Sequence, residues 1–459
     1  MSAVASFCGL CLLLVIGKFL RVKIPILQRL YLPSSVVGGV VGLIILTVFK
    51  KYIPTVWYEG WNDLPGFLIN IVFAGLFLGA FIPGIKKIWN IAAPQLCYGQ
   101  IVAWGQYMVG IGLVIVLLGP LMGVPDQLGV IIPVGFEGGH GTAGGLIPVF
   151  KELGWSEGGD LGLASATVGM VSAIVIGMWL INWAVKKGYV QNVRTFDKQT
   201  PHERCGIYPV EEQPRAGRQT VFSDSIDSLA LHMSMVGIAI LIGYIFKLGL
   251  EELNIYAPKS VQSLGILTSF PLFPLCMIGG LILQLFLNRV KIGHIVNHGQ
   301  MQRISGAALD FLVVAAVASI RIELIVQNWL PFVLLVLVGI LWNVFCVLWL
   351  ADRLLPESWF EQSIAQMGQS MGVTATGLML LRTVDPDSET IAPAAFGYKQ
   401  LLHEPFMGGG LWTSIAIPLV IKTGGHVVFL ISLGAITFWL IFWKLFLSQG
   451  RRFFNPTRG

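Results

Sequence analysis

Charge is what this sequence has least of. Asp, Glu, Lys and Arg make up 12% of its 459 residues, against about 25% in a soluble domain. That scarcity excludes an ordinary soluble fold and a solvated, disordered chain. A Gly-X-Y period is missing, so the 54 glycines are not those of collagen. Of the six cysteines only Cys8 and Cys11 stand at a CxxC spacing, with no second pair to complete a site; they, Cys97, Cys276 and Cys346 lie in apolar runs and Cys205 in a long central loop. Neither a disulfide framework nor a zinc site is written in that spacing, and there is no HExxH. No Lys or Arg precedes the first apolar stretch, MSAVASFCGL, which speaks against a cleavable signal peptide and for an uncleaved first span.

What is present is apolar. The hydrophobic share is 55%, with 14 Trp and 27 Phe, a composition suited to packed membrane helices with aromatic residues at the interfaces. Runs long enough to cross about 30 Å of hydrocarbon fall near 3–20, 33–49, 64–83, 92–119, 160–185, 228–247, 264–287, 304–325, 330–350, 391–421 and 424–447. The expected fold is therefore all-α and polytopic. The net charge of +6 sits in short loops between these runs, the pattern of membrane orientation, so no nucleic-acid partner is expected.

Between 120 and 155, and again between 356 and 382, apolar sequence is repeatedly interrupted by Gly and Pro. Irregular backbone survives at membrane depth only where protein or a cavity satisfies it, so both stretches read as re-entrant or broken helices. The sequence on either side repeats in outline. LPSSVVGGVVGLI from Leu32 resembles FPLCMIGGLIL from Phe273, and each leads through two further spans into its glycine-rich segment. The expected organisation is a first membrane repeat at 1–190, a basic cytoplasmic loop at 191–224, a second repeat at 225–422, and an extra span and tail at 423–459. Loop charge orients it. Lys18, Arg21, Lys23 and Arg29, then Lys86 and Lys87, then the 186–223 loop with Arg194, Lys198, Arg204, Arg215 and Arg218, then Arg289, Lys291 and Arg303, all fall on one side. With that side inside, the N-terminus is outside, and Cys205 and the tail with Arg451 and Arg452 are cytoplasmic. Five spans per half is an odd number, so the repeats are inverted.

Two such interruptions in corresponding places mark the substrate site of a secondary transporter. In GFEGGHGTAGG (Gly135–Gly145), the glycines free backbone N–H and C=O groups for ligands. Gly139, His140, Gly141 and Thr142 are substrate candidates, and Glu137 is a cation ligand. The competing reading is a helix-packing seam of small residues, which has no need of Glu137 or His140. As a metal pair or an enzymatic acid–base pair, Glu137 and His140 lack further ligands, a nucleophile and a soluble catalytic domain. In GQSMGVTATG (Gly368–Gly377), Gly372, Thr374 and Thr376 are assigned to substrate, and Gln369 and Ser370 to the ion. The bland alternative is that the hydroxyls bond their own helix backbone. Asp310 and Glu404 complete the ion candidates, since a carboxylate inside a span is functional by default. Asp310 also reads as a proton site or as a salt-bridge partner for Arg303. Glu404, followed by Pro405 and Gly408–Gly410, reads as a further break. Arg321, Arg382 and Lys399 read as anion partners or, more commonly, interfacial snorkelers.

GGHGT at Gly138–Thr142, the GxxxGxTATG pattern from Gly368, and the paired PxxxxGG openings at Pro33 and Pro274 together resemble the bacterial sodium/glutamate symporter family over roughly residues 1–422. The resemblance implies Na⁺-coupled uptake of glutamate, two inverted five-span repeats with a re-entrant element each, and a homodimer in the inner membrane working by elevator-like movement. It implies no cofactor beyond Na⁺ as coupling ion. The glycines after GGHGT, the long basic loop and the span at 424–447 depart from the family pattern. A proton- or sodium-coupled carrier of another carboxylate, or a channel, are the alternatives.

Overall fold

The computed structural model of the chain describes residues 2–30, 32–61, 63–80, 85–190, 200–259, 262, 267–268, 270–386 and 389–447. Arg194, Lys198, Arg451 and Arg452 lie outside the described residues, as do the side chains of Lys86 and Lys87. Regular structure among the described residues is helical throughout. In chain order the principal helices are α1 (Ser2–Lys23), α2 (Ser34–Phe49), α3 (Leu64–Ala74), α4 (Ile85–Leu113), α5 (Gly139–Gly145), α6 (Glu157–Lys186) and α7 (Ser228–Tyr256). They continue with α8 (Leu272–Arg289), α9 (His298–Ala318), α10 (Trp329–Phe345), α11 (Trp359–Val384), α12 (Ala392–His403), α13 (Leu411–Thr423) and α14 (Gly425–Phe442).

Eight helical stretches among the described residues are long and apolar enough to cross a membrane, and α2, α3 and α13 are shorter apolar helices. Each expected run has a helical counterpart, and the chain is a polytopic helical membrane protein. The run read at 391–421 is two helices, α12 and α13, separated by non-helical backbone at Glu404–Gly410.

The chain forms two compact units. The first comprises Met1–Ile82, Gly144–Gly159 and Thr200–Ile320; the second comprises Pro83–Ala143, Asp160–Gln199 and Arg321–Gly459. Each half of the sequence thus contributes its early helices, α1–α3 and α7–α9, to the first unit. Its later ones, α4 and α6, then α10–α13, go to the second. The C-terminal helix α14 also belongs to the second unit.

Within the first unit, small residues set the helix contacts, as expected where lipid removes any hydrophobic drive between helices. A Cβ on Gly17 of α1 would collide with backbone of Ser34 and Gly38 in α2. A Cβ on Gly243 of α7 would reach within 2.6 Å of Cys276 N in α8, and one on Gly279 would strike Ala239 O. The second glycine of each GG pair meets another helix: Gly39 faces Val317 of α9 and Gly280 faces Ala74 of α3. The α1–α2 and α7–α8 pairs are therefore built alike. Asp227 caps α7 by accepting from Leu229 N and Ala230 N, and Asn297 caps α9 by accepting from Gln300 N.

In the second unit, α4 and α10 share one shape. Each ends in a π-helical turn, Val114–Leu118 and Cys346–Leu350, before a last short turn. Trp342 of α10 lays its indole on Gly105 of α4 and donates to Val102 O at 2.9 Å. α14 runs along α4, with Phe429 against Gly112 and Trp89 against Phe442. Asp126 Oδ2 accepts from Gly425 N at 2.8 Å and so satisfies a free donor at the start of α14.

Candidate transport site

The site belongs wholly to the second unit and is assembled from three interruptions in helical backbone. The first is in the opening glycine-rich segment, where a π-helical turn at Pro133–Glu137 gives way at Gly138 and at Gly139, whose φ is +67°. That left-handed angle is open to glycine at no steric penalty. Gly135 presses on Ser165 and Ala166, and Gly162 on Ala143 and Val134, so the segment is seated against α6. The second interruption splits α11 at Gly372 (φ −149°, ψ 29°) and Val373 (φ +65°, ψ 169°). Its arms fold back on each other: a Cβ on Gly368 would come within 2.7 Å of Gly377 Cα, and one on Gly377 within 2.5 Å of Ala365 O. The glycines in GQSMGVTATG are thus what allow the hairpin to close. The third interruption is Glu404–Gly410.

The two glycine-rich tips meet. A Cβ on Gly139 would collide with Val373 Cγ1, and Gln369 Nε2 donates to Glu137 Oε1 at 2.8 Å. Glu137 Oε1 also accepts from His403 Nε2 at 2.5 Å, while its Oε2 is buried with no hydrogen-bond partner. On the far side, Thr374 Oγ1 donates to Glu404 Oε2 at 3.0 Å, and Gln400 Nε2 reaches both Glu404 Oε2 (2.8 Å) and Thr374 Oγ1 (2.5 Å). Thr142 is buried with its hydroxyl facing Gly409. Glu137, Gln369, Thr374, Glu404 and Thr142 are therefore gathered around the second and third interruptions.

Other candidates have local partners. His140 Nε2 lies 2.9 Å from Thr167 Oγ1, which itself donates to Leu163 O at 3.0 Å, so His140 pins its segment to α6. Gly141 lies in the turn between His140 and Thr142. Ser370 Oγ donates to Asn343 Oδ1 at 2.5 Å. Thr376 Oγ1 bonds the Gly372 carbonyl one turn back, also at 2.5 Å, which is the bland pattern of a membrane hydroxyl. Asp310 belongs to the first unit, where it is exposed on α9, and none of the network's hydrogen bonds named above involves it. Arg382 is exposed, and Arg321 pairs with Asp160, its Nη2 2.7 Å from Oδ2.

Lys399 overturns its reading as an interfacial snorkeler. It is fully buried at 0% exposure, with Nζ donating to Gln369 Oε1 at 3.0 Å and Gln400 Oε1 at 2.6 Å. Snorkeling needs a route for the stem to the interface, and here Phe396 and Gly99 close around it. His403, Gln400 and Gln100 also escaped the sequence reading. One signal was available: Lys399 with His403, and Gln400 with Glu404, are i,i+4 pairs, which fall on one face of a helix.

Chemistry fixes the orientation of the network. An ammonium only donates, so both glutamines turn their oxygens to Lys399 and their amide nitrogens to the carboxylates. Trp104 Nε1 donates to Gln100 Oε1 at 3.1 Å, so Gln100 offers Nε2 to His403 Nδ1 at 3.1 Å. His403 accepts there and carries its proton on Nε2, toward Glu137. The imidazole is neutral in this arrangement.

Broken helices that converge on a buried polar site, in a chain of many apolar spans, define the class of secondary transporters. The sequence profile of the sodium/glutamate symporter family matches residues 1–385. The sodium/glutamate symporters of Escherichia coli (strain K12) and Shigella flexneri are each 22% identical over 433 residues, covering 92% of this chain and 97% of theirs. That of Haemophilus influenzae is 23% identical over 281 residues, 61% of this chain and 63% of its own. The chain belongs to the sodium/glutamate symporter family.

Proposed function

We propose that the protein is a Na⁺-coupled symporter of glutamate or a closely similar small anion, with its binding site at the junction of Glu137, Thr142, Gln369, Thr374 and Glu404. The observation that carries this reading is the meeting of the two glycine-rich tips at Gly139 and Val373, with Gln369 bonded to Glu137. Carboxylate, amide and hydroxyl oxygens suit Na⁺, and freed backbone N–H groups suit a substrate carboxylate. Family membership supplies the substrate and the ion. Transport rather than catalysis follows from the same membership.

The alternation of early and late helices between the two units supports an inverted repeat. So do the matched Gly17–Gly38 and Gly243–Gly279 contacts. Because every site residue named above lies in one compact unit, movement of that unit as a body, elevator-like, is the favoured mode of alternating access. A homodimer in the inner membrane completes the proposal. Orientation follows loop charge, with the N-terminus outside and the central loop inside. A membrane-impermeant thiol reagent applied to intact cells should accordingly leave Cys205 unlabelled.

The deciding experiment is uptake of labelled glutamate into proteoliposomes with and without an inward Na⁺ gradient. Saturable uptake that requires Na⁺ is expected. Uptake driven equally well by a proton gradient in Na⁺-free buffer would overturn the coupling, and non-saturating flux would point to a channel.

A further inference from the structure

The charges gathered where the broken helices meet do not balance. Glu137 and Glu404 contribute two carboxylates, Lys399 one ammonium, and His403 is neutral in the observed hydrogen-bond pattern. With both carboxylates ionised, one negative charge is left over. An uncompensated charge in a low-dielectric interior is strongly disfavoured, so the site as built calls for one further monovalent cation.

The position of Lys399 says more. Its Nζ sits midway in a relay that runs from Glu137 Oε1 through the Gln369 amide to the ammonium, and on through the Gln400 amide to Glu404 Oε2. The ammonium is held by two amide oxygens, the type of hard neutral ligand that also holds Na⁺. It is within one amide of each carboxylate. The only carboxylate oxygen of Glu137 not engaged in this relay or by His403 is Oε2, which is buried and has no partner.

We propose that Lys399 is a tethered cation that takes the place of one coupling ion in the site, leaving a single Na⁺ to be bound there at Glu137 Oε2. Lys399 thereby sets the ion count of the transport cycle. The inference rests on the symport reading for its consequence, but its test reads Na⁺ directly and does not depend on which anion is carried.

The test is equilibrium binding of ²²Na⁺ to the purified full-length protein, counted per chain. Lys399→Gln keeps a polar side chain of similar reach but deletes the charge, so the Na⁺ number should rise by one. Lys399→Arg should keep the wild-type number. The double variant Lys399→Gln with Glu404→Gln has the wild-type net charge and should return to the wild-type number, a restoration that a merely structural lysine does not predict. Should Lys399→Gln not fold, Glu404→Gln alone carries the test in the other direction, with the Na⁺ number falling by one. An unchanged number in either single charge-deleting variant overturns the proposal. So does loss of glutamate binding in Lys399→Gln with Na⁺ binding unaltered, which would make Lys399 a substrate contact. Wild-type protein that binds Na⁺ but takes up no glutamate would defeat the substrate reading and leave this inference standing. Wild-type protein that binds no Na⁺ would overturn the inference itself.

Discussion

The two glycine-rich interruptions do the same job by different means. The first breaks at Gly139, where a left-handed φ of +67° requires no strain. The second places its left-handed angle, φ +65°, on Val373, one residue after a glycine whose own φ is an ordinary −149°. For a β-branched side chain that geometry is a true outlier, costing on the order of 1–3 kcal/mol. Such strain persists only where surroundings over-determine it, and it concentrates at functional clamps. Here the surroundings are specific: Gly139 leaves room for Val373 Cγ1, and Gly368 and Gly377 let the arms of the hairpin close behind it. One tip is therefore permissive and the other is held, and the permissive one makes space for the held one.

That asymmetry is most easily broken at Gly139. Gly139→Ala combines a left-handed alanine with a Cβ driven into Val373, and uptake should fall on the order of 10²-fold, the scale of a misplacement of about 1 Å at a reacting or binding centre. Val373→Gly is the matched control. Relief of the strained angle offsets the added freedom of the unfolded chain, so its unfolding free energy should stay within about 2 kcal/mol of wild type. Equal tolerance of the two substitutions in an uptake assay would erase the distinction between the tips.

Next in size is Glu137→Gln, which removes the charge that Gln369 and His403 converge on. Hydrogen bonds to charged groups contribute about 1.5–3 kcal/mol, so half-saturation by Na⁺ should rise on the order of 10-fold or more in Na⁺-titrated uptake. Unaltered Na⁺ dependence would remove Glu137 from the ion site. A smaller effect is expected from the two threonines. Thr374→Val deletes a hydroxyl that donates to Glu404 and accepts from Gln400, whereas Thr142→Val deletes one that faces Gly409. Each should weaken substrate binding by up to about 1–3 kcal/mol, with Thr374 the larger. The reverse order in a binding titration would shift the substrate toward the first tip. Last, Asp310→Asn on α9 of the first unit should leave Na⁺ half-saturation within about twofold, as a substitution at an exposed position does. A large rise would bring the first unit into ion binding.

Much of this architecture was legible from local sequence. Each apolar run has a helix, the breaks at Gly139 and Gly372 fall inside the segments that glycine marked, and the break after Glu404 coincides with Pro405 and Gly408–Gly410. The paired GG motifs at Gly38 and Gly279 do mark close helix contacts. Side-chain roles were less legible. Thr376 turned out to bond its own backbone, and His140 to pin its segment to α6. Nothing in the residue types separates those uses from ligand binding, because a hydroxyl or imidazole serves all of them.

Hydropathy and glycine placement act over one or two helical turns, and the sequence by itself therefore determined that this chain is a many-span helical membrane protein with two broken elements. Which charges are buried was decided only by tertiary structure. Lys399 has a stem long enough to snorkel, and no local pattern says that Gln369, thirty positions earlier, will turn an oxygen toward it. Glu137 and His403 are separated by 266 positions and meet only because helices from distant parts of the chain converge in one unit. A charge in hydrocarbon takes whichever environment solvates it best, and in this protein that solvation is a set of amides that only the fold assembles.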